Sequence, residues 1–169
     1  MIEVETDVGE GWPANIDWPA LAKAAVETAV INSPHRALAE KTYPIEVSIK
    51  LTDDDEVRTL NAAYRQKDKP TNVLSFPMIQ EDLLEAVNRE GDGEVLLGDI
   101  VLALGVCASE AAEKGVPVET HATHLIVHGA YHLLGFDHMN DVEAEEMEQM
   151  ERDALAKLGI DDPYAVEEA

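Results

Sequence analysis

Three histidines fall within one stretch of eleven residues, His128-Gly129-Ala130-Tyr131-His132-Leu133-Leu134-Gly135-Phe136-Asp137-His138, at spacings of four and then six. On a helix, residues four apart share a face and stand roughly 6 Å apart along the axis. His128 and His132 can therefore aim at one point, whereas His138 reaches it only if the helix stops. Glycine adopts the left-handed conformation that ends a helix and turns the chain back, so Gly135 sits where the geometry needs a stop. The stretch thus predicts a helix through His132, a turn at Gly135 and a third imidazole folded back toward the first two.

Three neutral imidazoles around a divalent ion, with a fourth position left for water, is the composition of a catalytic zinc site. His128, His132 and His138 are the candidate ligands, for one Zn2+ per chain. His124 shares a helix face with His128 and is read as a core or hydrogen-bonding residue in preference to a fourth ligand. His121 is read as a surface residue near the helix start, and His35 carries no signal. A zinc peptidase places a glutamate directly after the first histidine as general base. Here that position is Gly129, which leaves the zinc cage without the base for peptide hydrolysis.

The chain has 169 residues, enough for one domain with a real core, and that domain is expected to span residues 1–169. No apolar run approaches the length that spans a bilayer, and Met1-Ile2-Glu3-Val4-Glu5 lacks the layout of a signal peptide. The one cysteine, Cys107, excludes an internal disulfide framework and is expected to be a buried, inert thiol. These features point to the cytoplasm. A net charge of −23 argues against sequence-blind coating of nucleic acid. The charge is uneven, however. Of 12 basic residues, Arg58, Arg65, Lys67 and Lys69 fall within residues 58–69, while acidic residues crowd Asp141 to Glu151 and the tail. One placed phosphate contact is compatible with that distribution.

Alternation at Ile2, Val4, Thr6 and Val8, and again at Ile45, Val47, Ile49 and Leu51, predicts two strands. Asp17 is a plausible N-cap for a helix to about Asn32, with Pro19 in its first turn. Thr52 is expected to cap a second helix carrying Arg58 and Arg65 and ending at Asp68-Lys69-Pro70. Residues 73–76 read as a short strand stopped by Pro77. Residues 80–94 read as an acidic mobile loop, and 95–104 as a strand interrupted at Gly98-Asp99. Helices are expected at about 106–114, 118–134 and 141–158, the last with Met147, Met150, Leu155 and Leu158 inward. Strands alternating with helices predict a single α/β (α+β) layer structure.

Three blocks of sequence carry a family likeness. The first is Leu60-Asn61-Ala62-Ala63-Tyr64-Arg65, followed by Pro70-Thr71-Asn72-Val73-Leu74-Ser75-Phe76-Pro77. The second is Leu97-Gly98-Asp99-Ile100. The third is the histidine motif followed by Glu145-Glu146-Met147. Through roughly residues 40–158 the chain resembles the YbeY family of bacterial metal-dependent endoribonucleases, the rRNA maturation factors. The resemblance implies zinc held by His128, His132 and His138, and an arginine at Arg65 in the cleft leading to the metal. It implies cleavage of single-stranded RNA, maturation of the 3′ end of 16S rRNA and a part in ribosome quality control. Ribosomal subunits or ribosome-associated proteins are the implied partners, with neither DNA nor membrane expected. The implied fold is a small mixed sheet of about four strands covered by helices.

The residues themselves fit that chemistry. RNA cleavage develops negative charge around phosphorus, which a metal can polarise and a guanidinium can hold through paired hydrogen bonds. Arg65 and the ligand His128 are the candidate catalytic residues. Asp137 is read as a turn or supporting residue, Asp99 as part of the sheet or cleft wall, and Ser75 as structural or substrate-binding. Two other readings compete. One is a metallopeptidase-like hydrolase, weakened by Gly129. The other is a non-catalytic assembly factor stapled by zinc, weakened because a structural zinc closes its shell with four protein ligands.

Overall fold

The computed structural model describes residues 1–79, 95–137 and 139–164; the acidic segment 80–94 and His138 lie outside the described residues. Four strands, β1 (Ile2–Val8), β2 (Ile45–Thr52), β3 (Val73–Pro77) and β4 (Val95–Ala103), form one mixed sheet in the order β1-β2-β4-β3. β1 runs parallel to β2, and β2 parallel to β4, while β3 lies antiparallel on β4. Five α-helices accompany them among the described residues: α1 (Trp18–Ile31), α2 (Asp54–Arg65), α3 (Leu104–Lys114), α4 (Val118–Leu133) and α5 (Asp141–Lys157). The expected four-stranded mixed sheet with helical cover is present.

Period-2 alternation separates two apolar layers. Ile45, Val47, Ile49 and Leu51 of β2, with Ile100 and Leu102 of β4, join α1 and α4 in the main core. Val101 and Ala103, one residue out of phase, meet Leu74 of β3 and Val57 of α2 in a smaller cluster on the other face. Each large apolar side chain so buried contributes about 1.5–3 kcal/mol. The α4 helix is buried almost all round, from His121 to Val127 and again from Gly129 to Tyr131. A helix enclosed on every side belongs to a core, and α4 holds the candidate site there against the sheet.

Local chemistry sets most boundaries. Asp17 caps α1 by accepting from the Ala20 N–H at 3.2 Å, with proline in the first turn as expected. The cap of α2 is Asp53 instead of Thr52: its carboxylate accepts from the Glu56 N–H at 2.8 Å. The Thr52 hydroxyl instead donates to the Glu56 side chain at 2.5 Å. α2 also ends earlier than expected, at Arg65, because Gln66 takes the left-handed conformation at φ 60°. β4 is not interrupted at Gly98-Asp99. It absorbs an extra residue in a bulge, where Val47 pairs with Gly98 after Glu46 pairs with Leu96. A side chain at Gly98 would stand 2.5 Å from the Phe76 carbonyl oxygen, so only glycine fits between β3 and β4.

Candidate functional site

The end of α4 is built as a turn of defined hydrogen bonds. Gly135 has φ 94°; its N–H donates to the His132 carbonyl, and the Phe136 N–H to that of Tyr131, each at 3.0 Å. This is a Schellman arrangement, in which glycine satisfies the last carbonyls of the helix. The turn brings the Phe136 carbonyl back over the helix, where it accepts from His132 Nδ1 at 2.9 Å.

His128 and His132 converge as their spacing predicts, with Nε2 atoms 3.0 Å apart. The Nδ1 of His128 faces Glu151 Oε1 at 3.2 Å. With both Nδ1–H groups donating, both Nε2 atoms are lone-pair acceptors directed at each other. A cation between them relieves that opposition, and two nitrogens on a tetrahedral zinc stand about 3.3 Å apart. The donor set therefore fits a metal at this point. His138, the third expected ligand, is outside the described residues, and among the described residues no group of three ligand side chains gathers.

Beneath the pair lies a polar network. Glu151 of α5 is 1% exposed, and its Oε1 accepts from His124 Nε2 at 2.8 Å and from the Tyr164 hydroxyl at 3.0 Å. Burial alone pushes the Glu151 carboxyl up, but hydrogen bonds from His124 and His128 outweigh it and hold the group at about 2. His124 is thus a buried hydrogen-bonding residue, as read from the sequence. His121 is not a surface residue: it is buried beside Glu110, with Nε2 to Oε1 at 2.8 Å. Burial lowers its pKa against the opposing pull of Glu110. Asn72 donates to the same Glu110 oxygen at 3.0 Å, tying the loop before β3 to α3. A cavity of 320 Å³ opens here, bordered by Asn72, Glu110, His121, His124, His128 and Tyr164 among others.

Arg65 stands apart from the histidines. It is exposed at the end of α2, and its Nη2 donates to the Ser75 carbonyl of β3 at 3.3 Å; among the described residues no hydrogen bond joins it to His128 or His132. Arg58 is occupied by Asp68 at 2.8 Å. The larger cavity, 860 Å³, lies on the sheet face beside α2 and includes Asp99, Tyr64 and Phe76 but neither histidine. Its carboxylates, Glu5, Asp7, Glu56 and Asp99, face a single lysine, Lys50, itself paired with Glu56 at 2.7 Å. The smaller cavity, unlike the larger, is lined by the candidate ligand His128. Gly129 is packed on the sheet: a Cβ there would meet Ile100 at 3.0 Å, so the position of the peptidase glutamate points into the core. Cys107 is buried, and burial pushes its thiol up to about 12, an inert group as expected. Among the described residues no helix is long and apolar enough to cross a membrane.

The sequence model of the family described as Endoribonuclease YbeY matches residues 14–159. The endoribonuclease YbeY of Rhizorhabdus wittichii is 62% identical over 168 residues, covering 99% of each chain. That of Sphingopyxis alaskensis is 57% identical over 165 residues, covering 98% of each. The solution structure of TM1509 from Thermotoga maritima shares the fold, with a TM-score of 0.54 at 21% identity over 94% of this chain and 91% of that one. Together with the α+β architecture, the sequence matches define a class: hydrolases acting on RNA phosphodiester bonds. Within that class, the chain belongs to the endoribonuclease YbeY family.

Proposed function

We propose that this protein is a zinc-dependent, single-strand-specific endoribonuclease acting in the cytoplasm on rRNA precursors. Its place is in maturing the 3′ end of 16S rRNA and in ribosome quality control, in company with the ribosomal subunit or proteins bound to it. The observation that carries this is the convergence of the His128 and His132 Nε2 atoms at 3.0 Å in a chain of an endoribonuclease family. His128, His132 and His138 would hold the ion within one domain spanning residues 1–169. When bound, zinc supplies Lewis-acid polarisation of a phosphoryl oxygen and a more acidic water.

The chain's own residues supply orientation and charge. The Phe136 carbonyl and the Glu151 carboxylate turn the two rings so that their Nε2 atoms converge on one point. Arg65, exposed and lightly tethered, grips the phosphate oxygens through two parallel N–H donors and keeps its charge throughout the physiological range. Lys67 and Lys69 add positive charge beside it on an otherwise acidic body. Arg58 is already committed to Asp68 and plays a smaller part. The peptidase reading loses ground to Gly129, where even a Cβ would press on Ile100 at 3.0 Å.

The test pairs elemental analysis of dialysed protein with cleavage of single-stranded RNA, duplex RNA, DNA and unstructured peptide. One zinc per chain is expected, lost in His132→Ala, with single-stranded RNA cut in preference to duplex and neither DNA nor peptide cut. Full zinc retention by His132→Ala would sink the ligand assignment. Zinc-dependent proteolysis abolished by the same change would replace the nuclease reading with the peptidase one.

A further inference from the structure

Glu151 is the only acidic side chain buried among the described residues. Removing a carboxylate from water is costly unless its oxygens are well hydrogen-bonded. Here one oxygen, Oε1, collects three partners: His124 Nε2 at 2.8 Å, the Tyr164 hydroxyl at 3.0 Å and His128 Nδ1 at 3.2 Å. These partners are two imidazoles and a phenol, not a lysine or an arginine. The carboxylate also joins α5 to α4, and removing it alone would leave buried donors unmet. What it adds is directional, because it accepts a hydrogen bond from the Nδ1–H and so leaves the Nε2 lone pair of His128 facing His132.

The two histidines are therefore oriented by different devices. His132 gives its Nδ1–H to a backbone carbonyl, and His128 gives its own to a buried carboxylate. Tyr164 completes the second device from beyond α5. Its backbone N–H donates to Asp162 at 2.8 Å, Asp162 pairs with Arg152 at 3.1 Å, and the Arg152 guanidinium lies 5.3 Å from the Tyr164 ring centre. The segment after α5 is thus folded so that a phenol donates to the same carboxylate oxygen that His128 faces.

We propose that Glu151 is a positioning residue for His128, and that Tyr164 is the latch that holds the Glu151 carboxylate in place. The proposal rests on reading His128 as a metal ligand. Carboxylate partners of ligating histidines fix the tautomer and raise the basicity of the ring, and losing one weakens metal binding by about 10- to 100-fold.

Two measurements test it, neither of them nuclease activity. The first is the histidine tautomer in metal-free protein, read from 15N chemical shifts above the histidine titration range. The second is the zinc dissociation constant, from competition with a chromogenic chelator. Wild type should show His128 protonated on Nδ1. Glu151→Gln should shift His128 toward the Nε2–H tautomer and weaken zinc by about 10- to 100-fold. Tyr164→Phe should weaken zinc by a smaller factor in the same direction. Met147→Ala, a buried apolar change on α5, should lower the melting temperature and leave tautomer and zinc affinity of the folded protein unchanged. The proposal is overturned if wild-type His128 carries its proton on Nε2. It is equally overturned if folded Glu151→Gln keeps both the tautomer and the zinc affinity of wild type. Should Glu151→Gln not fold, the wild-type tautomer and Tyr164→Phe decide, and an unchanged zinc affinity in Tyr164→Phe removes the latch. Wild-type protein that binds no zinc overturns the ligand reading instead, while the tautomer still reports whether Glu151 orients the ring.

Discussion

Gly129 occupies the position where a zinc peptidase carries its general base, and restoring that glutamate tests the packing directly. A Cβ at this position would meet Ile100 Cγ2 at 3.0 Å, Cδ1 at 3.2 Å and Cγ1 at 3.3 Å, and Ile100 is itself fully buried. In Gly129→Ala, overpacking costs about 1–3 kcal/mol, while alanine in place of glycine recovers about 1 kcal/mol of helix propensity. A net loss of no more than about 2 kcal/mol is expected. Gly129→Glu adds a carboxylate driven into an apolar layer with no donor to meet it, which costs several kcal/mol more. The sum is a loss of about 4 kcal/mol or more. At this chain length 1 kcal/mol moves the melting temperature by about 2–4 °C, so Gly129→Glu should melt about 8–16 °C lower. Thermal unfolding followed by far-UV circular dichroism, with a chelator present to remove metal linkage, measures both variants against the parent. A Gly129→Glu protein melting within about 3 °C of the parent would refute the argument, since the helix face would then have room for a side chain.

Arg65→Glu should nearly abolish RNA cleavage with zinc content and melting temperature unchanged, because the side chain is exposed and holds one 3.3 Å bond; Arg65→Lys should recover only part of the activity, and wild-type cleavage by Arg65→Glu would remove the residue from the mechanism. Asp53→Ala deletes the cap of α2 and should cost about 1 kcal/mol, seen as a lower urea midpoint with an unchanged slope. Cys107, raised to about 12, should react with a disulfide reagent only as fast as the chain opens. Its folded pKa lies above the unfolded value of about 8.5, so its contribution to stability is complete below that pH and is lost as pH rises toward 12. Immediate stoichiometric labelling of native protein would contradict its burial. Metal affinity should fall on mild acidification, since imidazole binds only when neutral, and zinc retained in dialysis at acid pH would count against histidine ligation.

The histidine pair was legible because it is local: four residues of helix set the convergence, and a glycine sets the turn. The strands were legible for the same reason, since alternation at Ile45, Val47, Ile49 and Leu51 is a property of consecutive residues. What escaped was decided across the chain. His121 reads as solvent-facing until Glu110 of α3 comes to meet it. Glu151 lies 23 residues from His128 in sequence and looks like one more acid in an acidic helix. A signal was present: Glu151 falls four residues after Met147 and four before Leu155, on the apolar stripe of α5. The N-cap of α2 falls at Asp53, one residue beyond Thr52, because Thr52, Asp53 and Asp54 are all competent cap types and only the backbone decides among them. The bulge in β4 looked like an interruption because glycine in a strand signals either.

Among the described residues β1 forms one edge of the sheet, and no described strand pairs with its outer side. Such an edge is a template for another chain. Glu3, Glu5 and Asp7 alternate along it, at every second residue of a seven-residue strand. A second copy docking edge to edge would bring its own carboxylates alongside these, and like charges on neighbouring strands repel. The acidity that complicates RNA binding thus has a protective side, guarding this exposed edge against self-association and aggregation near neutral pH.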